Sequence, residues 1–235
     1  MGEAGPRPRA SRRRAAEATT PSAAPRASGD KRERILRAAV KVFARKGFYA
    51  SRVSEIARAA GVADGTIYLY FKSKDELLTS LFEDRIVRLI ALLREECARL
   101  DTGPGRLRRL VELQLGLLEG ERDLAEVITV NLRQSTRLLK QYATRRFTEY
   151  LELMAAVVSD AQRAGEFRSD VSPRIVARAI FGALDGIALT WALGNPEPGS
   201  LTRAASQLAD VLLHGLLIAP GAPGTPGAPG PDRSH

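Results

Sequence analysis

The sequence predicts an all-α protein: a three-helix N-terminal head followed by a C-terminal helical bundle, about nine helices in all. Three observations carry this prediction. Apolar residues recur at helical spacing through most of the chain. Helix formers dominate, and alternating β-branched runs are absent. Glycine and proline breakers separate the periodic stretches, and capping residues open them.

The first helix spans about 31–46, with Ile35, Leu36, Ala39, Val42 and Phe43 on one face, and Gly47 ends it. A short helix over about 53–60 follows Ser51 as its N-cap. Gly61 marks a tight turn, and a third helix covers about 64–71. Ser73 and Glu76 form a capping box that opens a long fourth helix to about 100, striped by Leu78, Phe82, Ile86, Leu89, Ile90 and Leu93. Later helices are expected over about 104–118, 122–134, 138–164, 173–193 and 201–217. Ser172 before Pro173 reads as N-cap and first helical residue. Residues 1–30 and 219–235, rich in Ala, Pro and Gly with little to bury, read as disordered tails.

Composition narrows the function. The single cysteine, Cys97, excludes an intramolecular disulfide and a cysteine-rich zinc site. The two histidines, His214 and His235, leave little room for histidine catalysis or metal binding, and His214 on an apolar helix reads as a core residue. No apolar h-region follows the Arg-rich N-terminus, so no secretory signal is read there. The most apolar stretch, 175–193, contains Arg178 and Asp185, which argues against a membrane span. A cytoplasmic protein without metal or cofactor is expected.

The formal charge is +9, and it is unevenly placed. Residues 1–30 carry six Arg against three acids, residues 31–82 carry eleven bases against five acids, and residues 83–235 carry nineteen of each. A basic module joined to a neutral one suits a polyanion-binding part with a partner that does something else. A solvated basic face is the alternative.

Residues 53–71 decide between them. A short helix, a glycine turn and a second short helix form a helix-turn-helix, in which Val53, Ile56, Ala57, Val62, Ile67 and Phe71 can build a small core. Thr66, Tyr68 and Tyr70 are then displayed on the second helix, with Lys72 and Lys74 just beyond and Arg52 at the entrance. Hydroxyls and cations suit phosphate oxygens and base edges. Gly65, lacking a Cβ, lets backbone approach a duplex closely. The alternative is an ordinary helical pair with surface tyrosines.

The run VSEIARAAGVADGTIYLYFKSKDELL, residues 53–78, resembles the signature of the TetR family of transcriptional repressors, and the likeness covers about 31–82. The resemblance implies an all-helical homodimer with a DNA-binding head and a variable ligand-binding domain. It implies DNA contacts from Thr66, Tyr68, Tyr70 and Lys74, and a phosphate contact from Ser51. Asp64 occupies a variable recognition position and has no assigned base. A weaker likeness, in RDLAEVITVNLRQS at 122–135 and AIFGALDG at 179–186, is to the subgroup that regulates fatty-acid degradation in response to long-chain acyl-CoA. The two long tails depart from that subgroup.

The resemblance therefore implies an apolar ligand site within 83–218, with candidates Leu93, Leu113, Leu117, Ile128, Leu132, Arg133, Phe147, Tyr150, Leu151, Met154, Phe181, Leu184 and Asp185. The stripe Phe147, Tyr150, Leu151, Met154, Val157, Val158 and Ala161 also fits plain core packing. Arg106, Arg108 and Arg109, or Arg145 and Arg146, could receive effector phosphates, or simply form solvated faces. Arg133 and Asp185 are expected to pair, because a lone buried charge is costly. The last two helices are apolar on more than one face, through Ile175, Ala179, Ile180, Ala183, Leu184, Ile187 and Trp191 on one and Leu208, Val211, Leu212 and Leu216 on the other. This suggests a four-helix homodimer contact.

The expected function is repression from a near-palindromic operator, released by a long-chain acyl-CoA. One rival is a related repressor of efflux or detoxification genes that senses another hydrophobic ligand. A second is a DNA-packaging protein without sequence preference. An enzyme is not expected, because no nucleophile, base or metal set is evident.

Overall fold

The computed structural model of the 235-residue chain describes residues 1–2, 24–131 and 145–217. Nine α-helices and one π-helical turn occupy the described residues: α1 (Ala24–Lys46), α2 (Val53–Ala60), α3 (Asp64–Tyr68), α4 (Lys74–Ala98), α5 (Gly103–Gly120), α6 (Arg122–Glu126) running into a π turn (Val127–Asn131), α7 (Arg145–Arg163), α8 (Pro173–Leu193) and α9 (Ser200–Leu216). The extended pairing among them is one isolated antiparallel bridge, Phe167 to Leu217. The all-helical architecture is as expected.

Several boundaries move, for local reasons. α1 starts at Ala24 rather than at 31, so the end of the segment read as a tail is helical. Pro25 sits in the first turn, where a missing amide leaves no hydrogen bond unmade. α3 stops at Tyr68 because the amides of Tyr70 and Phe71 both turn back onto the Ile67 carbonyl, at 3.0 and 2.9 Å. That turn buries Phe71. α6 gives way to the π turn at Val127, where the Thr129 hydroxyl donates to the Ala125 carbonyl at 2.7 Å and competes with the regular amide for it. Residues 132–144, expected to be largely helical, lie outside the described residues, as do residues 3–23 and 218–235.

The head is built on the buried face of α1. Ile35, Ala39, Val42 and Phe43 meet Ile56, Ala57, Ile67 and Phe71, all buried. α4 begins at the head, with the Ser73 hydroxyl accepting the Glu76 amide at 3.1 Å. The return bond of the expected capping box goes one residue further back, from the Lys72 amide to Glu76 Oε2 at 2.8 Å. Beyond the head, α4 packs against α5 and α7, α5 against α9, and α7 against α8. Leu93, Leu107, Leu110, Met154, Val158 and Ile180 fill this second core. Among the described residues α8 is long and apolar enough to cross a membrane by length and composition, yet its Ala177, Ile180, Leu184 and Ala188 face is buried in the bundle.

Helix starts are secured by distant carboxylates. Glu119 accepts the amides of Leu201 and Thr202, both at 3.1 Å, and the Thr202 hydroxyl, capping α9 where Gly199 supplies no side chain. Partial burial pushes the Glu119 carboxyl up, but these donors hold it below its ordinary value. Glu166 accepts the Gly103 amide at 2.6 Å where α5 begins.

Gly103 is the tightest point of that junction. A Cβ there would lie 2.2 Å from the Ala161 Cβ and 2.7 Å from the Glu166 carboxylate. Gly103→Ala is expected to destabilise the fold by about 1–3 kcal/mol, read as a lower urea midpoint. Gly116→Ala, inside α5 with nothing within 4 Å of the added carbon, should stabilise by up to about 1 kcal/mol.

Candidate nucleic-acid interface and ligand cavity

The head separates residues that face outward from those that hold it together. Gly61, at φ 64°, ends α2 in the left-handed region. Arg34 of α1 clamps this turn by donating to the Ala60 carbonyl at 2.7 Å. At the start of α2 the N-cap is Arg52, not Ser51. The Arg52 amide donates to Glu55 Oε2 at 3.0 Å, and Lys46 holds the other carboxylate oxygen. Hydrogen bonding from Lys46 and from that amide keeps the Glu55 carboxyl below its ordinary value.

Two expected DNA contacts point inward. Ser51 is 3% exposed, and its hydroxyl donates to the carbonyls of Gly47 at 2.6 Å and Val42 at 3.3 Å. Lys74 Nζ donates to the carbonyls of Phe48 (2.7 Å), Tyr49 (3.2 Å) and Ser51 (2.9 Å), and lies 4.6 Å from the centre of the Phe48 ring. Three donors meet three acceptors, so this ammonium closes the α1–α2 turn instead of reaching for phosphate.

The outward set is Arg52, Gly65, Tyr68 and Lys72, with Thr66 and Tyr70 half-buried at its edge. Nothing stands within 4 Å of a Cβ position at Gly65, which leaves that face open for close approach. Sequence reasoning missed Tyr49 and Leu69, 67% and 82% exposed. The signal was available, because an aromatic in a turn and a leucine between two tyrosines have no core to enter.

The second feature is an apolar cavity of about 330 Å³ between α4, α5, α6, α7 and α8. That volume falls at the lower end of small-molecule sites, roughly 300–1,000 Å³. Of the expected ligand residues, Leu117, Ile128, Phe147, Tyr150, Phe181, Leu184 and Asp185 line it. Leu93 and Met154 do not, because both are fully buried in the α4–α5–α7 core. Leu113 and Leu151 pack half-buried against that core, away from the cavity. Leu132 and Arg133 lie outside the described residues, and with them the expected Arg133–Asp185 pair. Sequence reasoning missed the α4 wall of Phe82, Ile86, Leu89 and Leu92, whose stripe is wider than a core contact needs.

Inside the cavity the Phe147 and Phe181 rings meet edge to face at 5.0 Å, with Tyr150 6.2 Å from Phe181. The Tyr150 hydroxyl bonds Gln114 Oε1, and Gln114 Nε2 donates to the Leu110 carbonyl at 3.0 Å. This chain fixes a polar edge of the aromatic wall. At the rim Arg85 pairs with Glu121 at 3.3 Å. Arg88 also lines the cavity, and it lines an adjoining open groove with Arg32, Arg145, Arg146, Glu83 and Asp84.

The other candidate arginines are engaged elsewhere. Arg106 donates to the Leu100 carbonyl at 2.8 Å, Arg108 pairs with Asp210 at 2.6 Å, and Arg109 pairs with Glu96 at 2.6 Å. His214 is exposed rather than core, its Nδ1 2.7 Å from the Asp210 carbonyl oxygen. Among the described residues no group of His, Cys, Asp and Glu is arranged to hold a metal ion.

The inward lysine and the outward lysine should behave differently on duplex DNA. Lys72→Ala is expected to lower the slope of log affinity against log salt by about 0.9 and leave the melting temperature near wild type. Lys74→Met should lower the melting temperature and weaken binding at every salt concentration with the slope unchanged. Fluorescence anisotropy titrations at several salt concentrations, paired with thermal melts, check both.

Residues 35–81 match the family described as bacterial regulatory proteins, tetR family, and residues 82–215 match the YsiA-like protein C-terminal region. The fatty acid metabolism regulator protein of Bacillus subtilis (strain 168) is 34% identical over 182 residues, 77% of this chain and 93% of its own length. The solved structure of the transcriptional regulator FadR from Bacillus subtilis in complex with stearoyl-CoA matches with a TM-score of 0.73 at 33% identity, over 78% of this chain and 98% of that one. The fatty acid degradation regulator FadR from Bacillus halodurans matches with a TM-score of 0.75 at 33% identity, over 79% and 95%. These relatives are regulators and not enzymes. With its helix-turn-helix head, its helical second part and these relatives, the chain belongs to the TetR family of transcriptional regulators.

Proposed function

We propose that this regulator represses genes of fatty-acid metabolism in the cytoplasm and leaves its operator when it binds a long-chain acyl-CoA. The observation that carries the reading is the junction at Arg88. There an apolar cavity that suits an acyl chain shares a wall residue with a groove lined by four arginines, Glu83 and Asp84. Arginine matches phosphate geometry with paired donors, and a CoA head brings several phosphates. The Bacillus subtilis relative solved with stearoyl-CoA supports the same ligand class. Residues 31–82 are assigned to DNA, and residues 83–218 to effector and dimer, with the segments 1–30 and 219–235 as appendages.

The proposed active form is a homodimer joined through α8 and α9. Ile175 and Leu193 on α8 and Val211 on α9 are 63%, 67% and 70% exposed. Exposed Ala179, Gly182, Gly186 and Gly215 leave the same helices room for close approach. Such a face would be a solubility liability on a lone chain, and a second copy covers it symmetrically. Two reading heads then meet successive major grooves about 34 Å apart, which makes the operator nearly palindromic.

Two measurements test the proposal. Release from the protein's own upstream DNA should follow long-chain acyl-CoA at concentrations where free CoA and the free fatty acid have no effect. Equal potency of thioester and free acid would favour a sensor of general hydrophobic compounds. Val211→Glu combined with Ile175→Glu should sediment as a monomer and lose operator binding at micromolar protein, with helix content unchanged by circular dichroism. A dimer that persists with both glutamates would overturn the α8–α9 interface.

A further inference from the structure

Arg88 belongs to the cavity rim and the groove, and it also takes part in a crossed set of ion pairs between α1 and α4. Its Nε lies 3.0 Å from Asp84 on its own helix, and its guanidinium reaches Glu33 of α1 at 3.8 Å. In the opposite direction, Arg32 of α1 reaches Asp84 of α4 at 3.8 Å. Glu33 also takes Arg37 at 3.5 Å. The two helices are thus tied by two arginines and two carboxylates where the cavity opens. Both arginines line the groove.

α1 also holds the reading head. Its Val42 carbonyl and that of Gly47 just past its end hold Ser51, its Lys46 holds Glu55, and Arg34, next to Glu33, clamps the α2–α3 turn. A pivot of α1 about the Lys74 contacts therefore carries α2 and α3 with it. The tie is weak by construction, because its arginines are 42% and 56% exposed and two contacts sit at 3.8 Å. A phosphate is a stronger competitor for a guanidinium than a single carboxylate, offering more acceptor oxygens and more charge.

We propose that Arg32 and Arg88 form an anion-exchange switch, in which a phosphate of the effector takes both guanidiniums from Asp84 and Glu33 and so frees the Arg32–Glu33 turn of α1 from the middle of α4, while Lys74 keeps the other end of α1 on the start of α4. This rests on the acyl-CoA reading above. The phosphate also comes to lie beside Glu83, Asp84 and Glu33, and its repulsion of the freed carboxylates opposes return of the tie. By linkage, anything that loosens the carboxylates' hold must strengthen effector binding and weaken operator binding together.

The test uses the full-length protein with Glu33→Gln and Asp84→Asn combined. Palmitoyl-CoA and S-palmitoyl-pantetheine, which keeps the chain and thioester but lacks phosphate, are the probes. The double variant is expected to bind palmitoyl-CoA about fivefold or more tightly, palmitoyl-pantetheine as wild type, and operator about fivefold or more weakly without effector. Removing two acids would by charge alone tighten DNA binding, so weakening separates the freed α1 turn from simple electrostatics. Arg88→Ala, checked for folding by its melt beside Arg88→Lys, should bring the two ligands to equal potency in release. If wild type binds and releases with palmitoyl-CoA while the double variant matches it in both affinities, the switch is overturned and the effector reading stands. If wild type does not bind palmitoyl-CoA, both fall.

Discussion

One helix has to satisfy two cores. α4 starts in the head, where Leu77, Leu78 and Leu81 are buried, walls the cavity with Phe82, Ile86 and Leu89, and ends in the bundle core with Leu93 and Cys97. Its 25 residues span about 37 Å as a stiff rod. Close-packed interiors deform little, so anything that repacks the middle of this rod has to tilt one end relative to the other. The head and the cavity are therefore mechanically coupled in this fold.

The head shows the same economy at smaller scale. Lys74 sits at the first residue of α4 and bonds three carbonyls of the turn between α1 and α2. Ser51 closes the same turn from within. These two polar residues hold the turn that precedes α2, while Arg52, Tyr68, Lys72, Tyr49 and Leu69 are exposed and Thr66 is half-buried. A rigid support behind the recognition helix keeps its side chains aimed, which matters for base contacts that depend on sub-ångström geometry.

Much of this was legible in the sequence, and the failures share a cause. α8 runs over the residues expected because Pro173 and Gly194 punctuate both of its ends. The helix-turn-helix was readable from the spacing of Ile56, Gly61 and Ile67. Residue type, however, does not give direction. A serine hydroxyl and a lysine ammonium suit a phosphate or a carbonyl equally, so neither the residue type of Lys74 nor the family resemblance at Ser51 shows which way the side chain points. On α7, Phe147 and Tyr150 reach the cavity while Met154 on the same stripe enters the core, because a wall and a core demand the same apolar side chains. The π turn over Val127–Asn131 was invisible, since five residues are too few to distinguish its period from that of an α-helix. His214 was misplaced because its neighbours are apolar, yet its position on α9 turns the ring toward solvent and the Asp210 carbonyl.

The division between cavity and groove bears on how a response can arise at all. A ligand moves an equilibrium only by binding one state better than the other. An acyl chain entering a cavity that is already formed gains roughly 0.8 kcal/mol per buried methylene in any state that keeps the cavity open. That gain sets affinity and chain-length preference but contributes no direction. The arginines differ in this respect, because Arg32 and Arg88 are bound to Asp84 and Glu33 here, and the proposed switch makes them available to an anion only when those pairs break. In the proposed switch the apolar wall determines which ligand stays, and the ionic rim determines what its arrival does to the head. Because the pairs at that rim are solvent-exposed, the response should be more salt-sensitive than the affinity of the chain itself.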